Sequence, residues 1–206
     1  MEIEAKFRIA ASELATLAKL RRLGAYTLKP APAPEQQENI YYDTPDARLT
    51  TARYGLRVRR VGSRALVTLK GPAEVGTDGI HRRSEFEFHG DQPDPTSWPP
   101  GVARDLALAL TGGAALAPLA AVLTERYVLH AIFNGVEVAE ICLDHGLLRG
   151  GDREQPFAEV EIELLSAGSA NDLATLAAAL GEHATLEPES QTKLQRALAL
   201  RQLVHV

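Results

Sequence analysis

The chain has 206 residues, with 27 acidic and 22 basic side chains, one cysteine and a formal net charge of −5. Hydrophobics at 45% and charges at 24% suit a globular core and argue against intrinsic disorder. The lone Cys142 excludes an internal disulfide framework and a thiolate zinc site. No apolar run approaches the ~20 residues of a membrane span. The first residues lack the apolar stretch of a secretory signal, so a cytoplasmic location is expected. Mild acidity disfavours nucleic acid as a partner. The length fits one domain over 1–206.

Residues 2–9 alternate strictly, with Glu2, Glu4, Lys6 and Arg8 on one side and Ile3, Ala5, Phe7 and Ile9 on the other. That is the period of a strand. Ser12 then precedes Leu14, Leu17, Leu20 and Leu23, which predicts a helix capped by Ser12 and stopped at Gly24. Residues 29–38 read as a proline-rich loop. Strand patterns follow at 39–43, 55–61, 65–70 and 81–88, with a surface turn at 71–79 and a second proline-rich break at 90–101. The Ala/Leu-rich stretch 102–123 predicts two short helices, and an apolar face there leaves a homodimer open. Strands resume at 126–133, 136–143 and 157–165. Asn134-Gly135 is a strong hairpin signal between the first two. Ser169 opens a helix to Leu180, and Ser190 is expected to cap a last helix over 191–203. The sum is an α+β chain of about eight mostly antiparallel strands.

The polar faces of these strands are specialised. They carry Glu2, Glu4 and Lys6; Arg57 and Arg59; Thr68 and Lys70; Arg83, Glu85 and Glu87; Arg126; and Glu159, Glu161 and Glu163. A solvated outer face explains each strand separately. It explains the set poorly, because three glutamates in a row repel and glutamate is a weak strand former. A sheet closed into a barrel would turn these faces into a lumen, with helices covering the apolar outside. Clustered carboxylates without thiols suit Mg²⁺, Mn²⁺ or Ca²⁺. Converging arginine and lysine suit phosphate oxygens. A polyphosphate with a divalent cation satisfies both sets.

The sequence resembles the CYTH domain, or triphosphate tunnel metalloenzyme, family. The resemblance rests on Glu2-Ile3-Glu4-Ala5-Lys6, an ExExK start, and on later landmarks in order. These are Tyr42-Asp43-Thr44, Arg57-Val58-Arg59, Thr68-Leu69-Lys70, Arg83-Ser84-Glu85, Glu125-Arg126, Asp144, the 159–163 run and Lys193. It implies an eight-stranded antiparallel barrel with helices outside, whose tunnel holds triphosphate. It also implies Mg²⁺- or Mn²⁺-dependent hydrolysis, with inorganic triphosphate preferred as substrate. Thiamine triphosphatase, class IV adenylate cyclase and a non-catalytic polyphosphate-binding module are the alternatives.

By resemblance, Glu2 and Glu4 hold metal with two of Glu159, Glu161 and Glu163. All three share one face; Glu161 and Glu163 are preferred. Lys6, Arg57, Arg59, Lys70, Arg83, Arg126 and Lys193 match phosphate-binding cations. Glu85 and Asp144 match further carboxylates, Asp144 at a second metal. Glu4, Lys6, Asp144 and Glu161 are the expected catalytic set. Without metal, Glu2, Glu4, Glu161 and Glu163 are expected to repel, and some of them to take up protons. Lys193, in the first turn of the last helix, opposes the helix dipole, which favours a functional role. Arg60 is read as surface, Arg8 as rim and Tyr42-Asp43 as a rim loop. Cys142 is read as a packed thiol, Trp98 as packing its loop, and His145 as pointing away from the lumen.

Overall fold

The computed structural model describes residues 2–75 and 80–202. The expected turn at 71–79 lies partly outside the described residues, as does residue 203. The first half holds β1 (Glu2–Arg8), α1 (Ala11–Leu17), β2 (Arg22–Leu23), β3 (Tyr26–Pro30), β4 (Glu35–Asp43) and α2 (Arg48–Thr51). Next come β5 (Gly55–Val61), β6 (Arg64–Lys70), β7 (Glu74–Val75), β8 (Ile80–Arg83) and β9 (Glu85–His89). The second half holds α3 (Val102–Thr111), β10 (Ala117–Phe133), β11 (Val136–Gly150), β12 (Arg153–Leu164), α4 (Ala170–Gly181), β13 (Glu187–Pro188) and α5 (Lys193–Gln202). No described helix is long and apolar enough to cross a membrane.

The main sheet runs β7-β8-β1-β12-β11-β10-β4-β5-β6-β9. Its pairings are antiparallel. β8 pairs with β1 and β9 with β6, and only Ser84 separates β8 from β9. The sheet thus nearly closes into a barrel through one divided strand. The Gly71 N–H donates to the Ser84 carbonyl at 2.9 Å across that seam. Counting β8–β9 once, the barrel is built from the eight runs whose alternation the sequence shows. The short β2, β3, β7 and β13 add at their edges, so the full strand count exceeds eight.

The outside is apolar and covered, as the parity requires. Ala5, Phe7, Val160 and Ile162 pack with Leu14 and Leu17 of α1 and Leu173 and Leu176 of α4. Leu56, Val58, Val67 and Leu69 pack with Leu49 of α2, Ala107 of α3 and Trp98. Each valine, leucine, isoleucine or phenylalanine among them contributes about 1.5–3 kcal/mol on burial. Trp98 donates to the Gln92 carbonyl at 3.0 Å and meets Phe88 edge-on, so it fastens its loop.

Several local expectations are corrected. Residues 102–123 are not two helices. A ten-residue helix ends at Gly112 in the left-handed region, and a 17-residue strand begins at Ala117. Alanine favours helix, yet pairing with β4 and β11 overrides that preference. Pro118 is accommodated because the register slips between Pro118 and Ala120. The slipped Leu119 offers its carbonyl to Arg201 of α5 at 2.8 Å. The apolar helical face is therefore confined to Val102–Thr111. Ser12 does not cap α1, whose N-cap is Ala10, and Gly24 turns the β2–β3 hairpin instead of ending a helix. The 29–38 loop shrinks to residues 31–34. Thr192, not Ser190, caps α5: its Oγ1 accepts from the Gln195 N–H, and the Gln195 side chain accepts from the Thr192 N–H. The Asn134-Gly135 turn and the Ser169 cap stand as expected; Ser169 forms a reciprocal box with Asp172.

The fifth helix breaks the rule that helices lie outside. Leu194, Ala197, Leu198 and Leu200 pack on Val122, Leu148 and Phe157, on the lumenal side of the long strands β10–β12. The approach is close: a Cβ on Gly150 would lie 1.9 Å from the Ala197 carbonyl oxygen.

Candidate functional site

Antiparallel register places directly opposite residues on one face, so each alternating strand contributes one charged row to the lumen. Glu4 lies opposite Glu163 and Lys6 opposite Glu161 on β1–β12. Glu2 lies opposite Arg83 on β1–β8. Asp144 lies opposite Glu159 on β11–β12 and opposite Arg126 on β10–β11. The rows enclose a cavity of about 860 Å³. Twelve expected site residues line it: Glu2, Lys6, Arg57, Arg59, Lys70, Arg83, Glu85, Arg126, Asp144, Glu161, Glu163 and Lys193. Glu4 and Glu159 do not; they lie buried behind their cationic partners.

The carboxylates form two groups, each with ligand atoms within 4.8 Å of one another: Glu2, Glu85 and Glu163, and Asp144, Glu159 and Glu161. The 159–163 row is thus divided. Glu163 faces one group, while Glu159 and Glu161 face the other, so the preferred pair Glu161 and Glu163 does not share a group.

The second group is neutralised by the chain itself. Arg126 grips Asp144 with two bonds, at 2.8 and 2.7 Å, and reaches Glu161 at 2.6 Å. Lys193 Nζ lies 3.0 Å from both Asp144 and Glu161 and also pairs with Glu159. Arg196 pairs with Glu159, and Lys6 lies 3.6 Å from Glu161. Burial would raise Asp144 and Glu161, but Arg126 and Lys193 on Asp144, and Lys193 with Lys6 on Glu161, hold both below the usual carboxylate range. Burial leaves Glu159 raised despite Lys193. The Lys193 ammonium, although buried, is held charged by Glu159, Glu161 and Asp144.

The first group is less complete. Lys70 lies 2.6 Å from Glu2 and 3.2 Å from Glu85. Arg83 bridges Glu2 and Glu4, and Lys6 lies 3.1 Å from Glu4. Burial would raise Glu2, but Lys70 and Arg83 bring it down to about 2. Glu163 has no ion pair among the described residues. Burial, then Glu2, pushes it up to about 7. The expected proton uptake therefore holds for Glu163, while Glu2 and Glu161 go the opposite way. Cations of the lumen already sit against them.

The remaining wall carries Arg57 and Arg59. Arg57 donates to Thr68 at 3.1 Å and lies 3.7 Å from Glu87. Arg59 donates to Asn39 at 2.8 Å and meets no carboxylate among the described residues. Burial, then Arg57 and Arg126, lowers it to about 10. The wall is short of negative charge.

Other expectations resolve cleanly. Asp43 is buried and caps α2, accepting from the backbone of Thr44, Leu49 and Thr50, so it is no rim residue. Arg60 and Arg8 pair at the surface with Glu38 and with Glu187 and Glu189. His145 bonds Glu125 on the outside. Cys142 is buried, and burial pushes its thiol well up. The sequence reading missed Tyr41, Asn39 and Gln37, lumenal through β4, whose mixed polarity gave no charged row. It also missed Arg196, whose one available signal is its place three residues after Lys193 on α5.

Comparison with known proteins agrees with this geometry. A family model described as the CYTH domain matches residues 1–198. An inorganic triphosphatase of Haemophilus influenzae is 31% identical over 137 residues, 66% of this chain. The match spans only 37% of that relative's length. A Hippeastrum protein, described as an adenylyl cyclase with a dominant triphosphatase activity, superposes with a TM-score of 0.70 over 99% of this chain and 98% of its own, at 18% identity. A Bacillus halodurans protein described as a candidate adenylate cyclase gives 0.62 over 95% and 96%, at 20% identity. These two likenesses establish a shared fold. With a family model spanning nearly the whole sequence, the chain belongs to the CYTH domain family.

Proposed function

We propose that the protein hydrolyses a triphosphate, inorganic triphosphate above others, to diphosphate and phosphate with Mg²⁺ or Mn²⁺. The observation that carries this is Arg59, half-buried beside Arg57 and Arg126 with no carboxylate partner among the described residues, in the same cavity as an under-neutralised carboxylate group. A polyanion with a hard cation completes both.

An all-carboxylate donor set fits a hard divalent cation. Glu2, Glu85 and Glu163 are the residues that would hold it, since the Asp144 group already has its counter-charges. When bound, such a cation supplies Lewis-acid polarisation of phosphoryl oxygens. Arg57, Arg59 and Lys70 bind and orient those oxygens and meet the charge that develops on them. Asp144 and Glu161 fix Arg126 and Lys193 in place, so both are positioning residues in this reading. Water attacks the terminal phosphorus in line as the bond to the diphosphate oxygen breaks.

The cavity volume favours one second reading. About 860 Å³ lies in the upper part of the ~300–1,000 Å³ range of small-molecule sites. That leaves room for an organic group, as in thiamine triphosphate or in ATP undergoing cyclisation. A panel of tripolyphosphate, thiamine triphosphate and ATP, with Mg²⁺ or Mn²⁺, tests both by scoring phosphate and cyclic nucleotide. The expected result is phosphate, fastest from tripolyphosphate and lost on chelation. Cyclic AMP with diphosphate as the main product would sink the proposal, as would binding without turnover.

A further inference from the structure

Tyr41 shares the lumenal face of β4 and lies opposite Arg57 of β5. Its ring is half-buried and packs against the apolar cluster that Leu194 and Leu198 of α5 also join. It lines the cavity. The neighbouring polar groups are engaged within the protein: Asn39 bonds Arg59 and the Val122 carbonyl, Gln37 bonds Glu35, and Thr68 bonds Arg57 and Glu87. The Tyr41 hydroxyl has no hydrogen-bond partner among the described residues.

The charged groups that face it are Arg57 and Arg59 of β5, Lys70 of β6 and Lys193 of α5. Burial alone would raise its pKa, yet these four cations, Arg57 first, hold it below the usual tyrosine value. Cations from three elements therefore converge on an unengaged donor. Anions are bound this way, by a neutral donor placed among fixed positive charges.

We infer that the Tyr41 hydroxyl donates a hydrogen bond to a phosphoryl oxygen of the substrate, between Arg57 and Lys193. The inference rests on the triphosphatase reading for its substrate, but its contact is tested by binding alone. A bond to a charged acceptor also sharpens as phosphoryl charge redistributes, so part of its effect falls on turnover.

Tyr41→Phe removes the hydroxyl and keeps the ring against α5. Tripolyphosphate is the probe, in binding calorimetry without metal and in phosphate release with Mg²⁺. The expected result is a loss of about 10- to 100-fold in kcat/KM. Binding weakens in the same direction, with the melting temperature kept. A tyrosinate absorbance that develops below the usual alkaline range should be present in the wild type and absent from the variant. Tripolyphosphate should move it upward by neutralising the surrounding cations. Equal binding and equal turnover in the two proteins, with the tyrosinate signal unmoved by tripolyphosphate, would overturn the assignment. If the wild type binds tripolyphosphate without releasing phosphate, the hydrolytic reading fails, and the binding difference alone decides Tyr41.

Discussion

The two carboxylate groups of the lumen share a strand and differ in who neutralises them. Asp144, Glu159 and Glu161 meet four cations, Lys6, Arg126, Lys193 and Arg196. Among the described residues, Glu2, Glu85 and Glu163 meet two, Lys70 and Arg83, and neither pairs with Glu163. The Asp144 group is buried and fully counter-charged. The Glu2 group is partly open and leaves Glu163 without an ion pair among the described residues. Buried ion pairs seldom stabilise a fold beyond what apolar packing would supply, but they hold groups in one geometry. Under the proposed function, this difference assigns positioning to the Asp144 group and cation binding to the Glu2 group.

The largest effect should come from the open group. Glu2→Gln is expected to lower metal-dependent phosphate release by more than ~100-fold, beyond the usual cost of losing an outer-shell partner. Near-normal release at saturating Mg²⁺ would erase the distinction between the groups. The closed group should answer in stability instead. Lys193→Met strips a buried counter-charge and should cost about 3–5 kcal/mol in urea unfolding. A loss below ~1 kcal/mol would mean that Arg126 and Arg196 suffice without it. The smallest effect concerns how Lys193 is delivered. Thr192→Ala removes the cap of α5 and should cost about 1 kcal/mol by the same measurement. An unchanged midpoint would show that packing on Val122 and Phe157 alone holds the helix.

Much of this arrangement was legible before any fold was known. A strand's period of two exposes its face assignment, so each wall of charge could be read from alternation. The ambiguity of the 159–163 row was real. Glutamates of one parity share a face, and only the register with β1 and β11 divides them. What the sequence concealed was pairing across strands. Glu2 and Glu161 looked like repelling neighbours, while their cations come from residues 70, 83, 126 and 193. The stretch 114–123 misled for another reason. Its alanines and leucines favour helix locally, and the competing hydrogen bonds come from distant β4 and β11. Tyr41 went unread because an uncharged side chain gives no electrostatic pattern.

The pairing of β1 with β12 has a kinetic consequence. Glu4 and Glu163 are neighbours in space but stand far apart along the chain. Closing so long a loop is entropically costly and belongs to the slow end of folding. Until it closes, β1 and β12 present unpaired edges. Lys6 and Glu161, which straddle that junction, meet only on closure, whatever other parts of the barrel have already formed. Recovery of phosphate release after dilution from denaturant should therefore lag behind recovery of β-sheet circular dichroism.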